Sequence, residues 1–108
     1  MEKFVKPIPP VDTWRRAIRG SILDSTTKLV MHELGFWFER YECKSDVYPS
    51  QALVAERTSL KRETVNRSIK KAEKLGFLKI VGKGKKGFSN RYQMDLPLAG
   101  PTTWKQIN

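Results

Sequence analysis

The run from Thr26 to about Tyr41, preceded by the cap-type residue Ser25, constrains this chain most. At about 100° per residue, Val30, Met31, Leu34, Trp37, Phe38 and Tyr41 fall on one face of a helix, with Lys28, His32 and Glu39 opposite. Three large aromatics on one side of one helix require that the other elements pack around it. Gly35 lies on the polar face, where its intrinsic cost of roughly 1 kcal/mol must be offset by packing. Leu29 and Phe36 lie on the flank, where they meet Trp14 and Ile18 or a second subunit. With 108 residues the chain has material for one such core and not for two.

The other segments are shorter. Pro7, Pro9 and Pro10 remove backbone donors and make residues 1–11 an extended arm. Asp12 or Thr13 caps a short helical piece with Trp14, Ala17 and Ile18 on one side, interrupted at Gly20 and Ser21. After a polar loop, Pro49 ends what precedes it and Ser50 caps a two-turn helix with Leu53, Val54 and Ala55 as its apolar face. Thr58-Ser59-Leu60 is a break. A further helix runs from Lys61 or Arg62 to Leu75, with Val65, Ser68, Ile69 and Ala72 inward and Gly76 as its stop. Phe77–Val81 and Arg91–Met94 alternate as strands around a turn at Gly82–Gly87, a β-hairpin. Pro97, Gly100 and Pro101 mark a tail with an isolated Trp104. The expected fold is mainly α with a small β-hairpin, divided into an arm and short helix (1–24), a central domain (25–96) and a tail or linker (97–108).

Charge narrows the function. The chain carries 21 Lys and Arg against 11 Asp and Glu, a net +10. Residues 61–91 hold eleven basic and two acidic side chains, so nine of those ten charges sit on the last helix and the hairpin. A concentration of that kind points to a polyanion. No apolar run reaches the ~18 residues of a membrane span, and the N-terminus lacks a signal-peptide core, so no membrane partner and a cytoplasmic location are expected. Cys43 has no partner for a disulfide and no neighbouring His, and His32 sits on a polar face, so neither metal, cofactor nor catalysis is expected. Gly82-Lys83-Gly84-Lys85-Lys86-Gly87 matches a dinucleotide fingerprint in form, but strand rather than helix follows it, which removes the helix N-terminus that holds phosphate. Trp37, Phe38, Tyr41, Phe77, Phe88 and Tyr92 are needed for packing, which argues against a stacking platform for single-stranded RNA.

Two helices of unequal length joined by about three residues, with small Ala55 at the crossing and apolar Leu60 in the turn, match the helix-turn-helix pattern. The sequence resembles the winged helix-turn-helix DNA-binding domains of replication initiators and regulators of phages and plasmids. The resemblance covers roughly residues 25–96. It rests on Tyr48-Pro49-Ser50, on Lys61-Arg62-Glu63-Thr64-Val65-Asn66-Arg67-Ser68-Ile69, on Lys74-Leu75-Gly76-Phe77-Leu78 and on Ser89-Asn90-Arg91-Tyr92. Lys61 departs from the Ser cap frequent there, so capping falls to Ser59 or to water. The resemblance implies an origin-binding domain, with a small transcriptional regulator of a mobile element as the alternative.

A recognition helix over about 61–75 in the major groove would read bases with Lys61, Arg62, Glu63, Thr64, Asn66 and Arg67. Arginine presents a fork to guanine, Asn66 pairs with adenine, and Glu63 accepts from a cytosine amine. Ser50, Lys70, Lys71, Lys74, Asn90 and Arg91 would meet phosphate, with Lys83, Lys85 and Lys86 of the wing 82–87 along the backbone or in a minor groove. The expected partner is double-stranded DNA, bound as a monomer or homodimer, with other replication or transcription proteins as further partners. A winged helix that binds only protein is the competing reading, but it has no need of so concentrated a positive charge.

Overall fold

The computed structural model describes residues 8–40, 47–82 and 90–97. Four helices, α1 (Val11–Arg19), α2 (Ser25–Arg40), α3 (Gln51–Thr58) and α4 (Arg62–Lys74), precede an antiparallel pair of strands, β1 (Leu78–Gly82) and β2 (Arg91–Met94). This is the winged helix-turn-helix arrangement expected, mainly α with one hairpin.

α2 is the centre. Val30, Met31, Leu34 and Phe38 are buried, and Trp37 packs half-buried against the core's edge. Tyr41 lies outside the described residues. The cap is Asp24 rather than Ser25: its carboxylate accepts from the Thr27 hydroxyl at 2.7 Å and from the Thr27 amide at 3.4 Å. Asp outcompetes a serine one residue later because its two oxygens satisfy two donors of the first turn. Gly35 is buried, not on a solvated face. A Cβ there would meet the Arg15 guanidinium at 3.0 Å, so glycine leaves the space in which the Arg15 side chain lies against α2.

α1 begins at Val11 directly after Pro10, with no side-chain cap from Asp12 or Thr13. Proline fixes φ before the first turn and the Pro10 carbonyl accepts from Trp14, so the helix starts two or three residues earlier than a cap at Asp12 or Thr13 would place it. Trp14, Ala17 and Ile18 join the same core as α2 and α4. The Trp14 indole N–H donates to the Phe77 carbonyl at 2.7 Å, which ties α1 to the approach to β1.

Both helix ends that shape the motif use one device. After α3, Ser59 takes φ 60° while the Leu60 amide bonds to the Ala55 carbonyl and the Ser59 amide to Glu56. After α4, Gly76 takes φ 90° while Phe77 bonds to Ala72 and Gly76 to Glu73. These are Schellman closures, which place an apolar residue, Leu60 or Phe77, back onto the helix it leaves. Ser59 is thereby committed to ending α3 and does not cap α4. Lys61 occupies that cap position without a side-chain bond.

The strands pair Leu78 with Met94, Lys79 with Gln93, Ile80 with Tyr92 and Gly82 with Arg91, with Val81 as the extra residue of a bulge. β1 is displaced by one residue from the expected Phe77–Val81, because the Phe77 amide is spent on closing α4. Val47 exchanges both backbone bonds with Tyr92, at 3.0 and 2.8 Å, adding a one-residue third strand that alternation alone did not reveal.

Two substitutions test this account. Ser59→Gly relieves a left-handed serine and is expected to raise unfolding free energy by about 0.5–1 kcal/mol in urea titrations. Asp24→Ala removes the cap of the central helix and is expected to lower it by about 1 kcal/mol.

Candidate nucleic-acid interface

α4 buries one stripe and exposes the other. Val65, Ser68, Ile69 and Ala72 are all inside, as their spacing predicted. Glu63, Arg67, Lys70 and Lys74 recur at i, i+4, i+7 and i+11, which places them in one line along the opposite side, all exposed. Arg62 and Lys61 are exposed at its N-terminal end. The motif turn fixes this orientation: Leu60 packs against the core, and Val65 and Ile69 are almost wholly enclosed.

The other nominated residues divide. Thr64 is half-buried and turns toward α2, lining a cleft of about 250 Å³ with Asp24, Thr26, Thr27, Arg67 and Lys71. Lys71 is exposed, but its ammonium lies 3.0 Å from Asp24, so a phosphate would compete with a carboxylate for it. Asn66 is half-buried against α3, where its carbonyl oxygen accepts from the Gln51 amide at 3.1 Å. Ser50 caps α3 by accepting from the Leu53 amide at 3.0 Å and is itself exposed. At the hairpin, Arg91 is exposed and its guanidinium lies over Gly82, where a Cβ would come within 2.8 Å of Nε and displace the side chain from this pose. Asn90 is half-buried beside the Tyr92 hydroxyl. Lys83, Lys85, Lys86, Phe88 and Cys43 lie outside the described residues.

Two residues of this surface were not nominated from the sequence. Gln51 reaches both Asn66 and the neighbourhood of the Tyr92 hydroxyl, so it links α3 to α4 and to β2. Tyr48, 62% exposed, precedes the cap of α3 and offers a ring and a hydroxyl at that end of the motif. Neither residue stands out by periodicity in the sequence: Gln51 is the first residue of α3, and Tyr48 follows the Val47–Tyr92 bridge.

Two groups are electrostatically perturbed. The Thr27 hydroxyl and the Lys71 ammonium hold the Asp24 carboxyl well below the usual carboxylate range. Burial pushes the Tyr92 phenol up, offset in part by the Gln51 and Asn90 side chains beside it. Among the described residues no three His, Cys, Asp or Glu side chains gather as a metal site requires, and no helix is long and apolar enough to cross a membrane. His32 is exposed and sits edge-on to the Phe36 ring at 5.1 Å.

Comparison with protein families finds that the model of a helix-turn-helix domain matches residues 23–78, just over half of the chain, from the residue before the cap of α2 to the first residue of β1. The chain belongs to this helix-turn-helix family. Searches of curated proteins and of solved structures return no match. In this helix-turn-helix protein the matched segment contains the whole motif, α3 and α4, together with the helix that supports it.

The Asp24 arrangement has a measurable consequence. A carboxyl whose pKa is lowered by folding contributes stability above its unfolded value, near 3.8, and loses that contribution as pH falls through the folded value. Thermal melts are expected to drop below pH 4. Asp24→Asn, which keeps the cap but not the charge, should show a shallower acid limb.

Proposed function

We propose that this helix-turn-helix domain binds duplex DNA with sequence preference and performs no covalent chemistry. One observation carries the reading: α4 presents an exposed line of Glu63, Arg67, Lys70 and Lys74 directly opposite the stripe that seats it in the core, with Lys61 and Arg62 exposed beside it at the N-terminal end. A helix so mounted fits the major groove, with its N-terminal side chains at base edges and its C-terminal cations near phosphate. Arg62 and Arg67 present forks suited to guanine O6 and N7, and Glu63 accepts from a cytosine amine. Asn66 reads from the edge of this surface with its amide group held by Gln51.

The resemblance to winged domains of phage and plasmid initiators and regulators favours origin binding as the biological task, with a small transcriptional regulator of a mobile element as the alternative, and the basic wing sequence from Gly82 to Gly87 would add phosphate contacts. The concentration of charge between residues 61 and 91 supports DNA over a protein-only role.

Selection from a random duplex pool tests this reading. Tandem repeats among the selected sites support origin binding, a lone palindrome favours a regulator acting as a symmetric pair, and no retained duplex defeats the proposal. With about six phosphate contacts, log K should fall against log salt with a slope of about −5. Arg62→Ala and Arg67→Ala should each weaken specific binding by about 1–3 kcal/mol in titrations at fixed salt, without loss of helix content.

A further inference from the structure

We infer that the groove between α1 and α2 is a docking site for an acidic amphipathic helix of a partner protein. The groove holds about 440 Å³ and has an apolar floor of Trp14, Ile18, Leu29 and Met31. Around it stand Arg15, Arg19 and Lys28, and no carboxylate lines it among the described residues. Arg15 is shared with Glu39 at 3.4 Å and lies over the Phe36 ring. Lys28 is fixed at the end of α1, where its ammonium donates to the Arg19 carbonyl at 2.8 Å. Among the described residues, the uncompensated charge of the rim is therefore carried by Arg19 and Lys28.

Exposed apolar side chains stand on α2 beside the groove: Leu29 is 41% exposed and Phe36 53%. Leu29 and Phe36 are seven residues apart and so share one side of α2, about half a turn from the buried Thr27 and Leu34. Thr27 lines the cleft toward α4, so this side of α2 points away from the proposed DNA-reading surface and stays open when that surface is occupied. Apolar side chains at two-turn spacing beside a cleft are the features that accept the i, i+3, i+7 anchors of an amphipathic helix.

Charge selects the occupant. A second copy would have to meet this face with the same face, as a two-fold interface requires, setting Arg19 and Lys28 of one protomer against those of the other on chains of net +10. A helix carrying Asp or Glu beside its apolar anchors instead meets opposite charge.

The test is a display selection of helical peptides of random surface charge against the full chain, followed by titration of the enriched peptides. Enriched sequences are expected to combine Leu, Ile or Phe anchors with Asp and Glu. Leu29→Asp, Lys28→Glu and Arg19→Glu, each checked for an unchanged melting temperature, should weaken their binding at least tenfold. Arg67→Ala should leave it within twofold, which separates this site from the DNA surface. Enrichment of basic or neutral peptides, equal binding to the charge-reversed variants, or no enrichment above bare beads would overturn the inference. A sedimentation-detected dimer abolished by Leu29→Asp would overturn it too, giving the face to a second copy.

Discussion

The carbonyl of Phe77 is the point on which the arrangement turns. It accepts the buried Trp14 indole at 2.7 Å and the Asp95 amide at 3.2 Å, while the Phe77 amide closes α4 on Ala72. The backbone of one residue thus joins the first helix, the recognition-type helix and the far end of β2. A buried carbonyl left without these donors would cost about 1–3 kcal/mol, so the three elements are held in register by a penalty for separating them as well as by apolar packing. Trp14, edge-on to Phe38 at 5.2 Å, fills the space beneath.

A second tie runs through Tyr92. Its backbone bonds to Val47 and its ring is buried, which brings the start of α3 against β2 and places Gln51 between that strand and Asn66. The surface assigned to DNA is therefore not one helix on a scaffold. Its orientation depends on a strand pair that is distant in sequence, and the position of Arg91 over Gly82 depends on the same pair.

Much of this was legible in the residues. The inward stripe of α4, the Ser50 cap and the pairing of the two strands follow from local period and turn chemistry and are present in the structure, while the break expected at Thr58-Ser59-Leu60 starts one residue later because Thr58 closes α3. What local pattern could not give was set by other elements. Gly35 reads as solvated until α1 covers it with Arg15, and Asp24 reads as a loop residue until Thr27 and Lys71 converge on it. Lys71 and Asn66 are indistinguishable from their exposed neighbours in spacing, and only the packing of α2 and α3 on α4 reveals that each already has a bond to keep or exchange.

The distribution of charge on α4 has its own logic. Arg67, Lys70, Lys71 and Lys74 crowd cations onto less than three turns, and like charges at helical spacing oppose folding. Lys71 and Lys74 in the last turn are favoured by the helix dipole, and Asp24 neutralises Lys71 from the neighbouring helix. Arg67 and Lys70 lie outside the terminal turn and make no ion pair among the described residues, although Glu63 precedes Arg67 by four residues and Glu73 follows Lys70 by three on the same helix. The repulsion retained at the middle of the helix is the part a polyanion would relieve on binding.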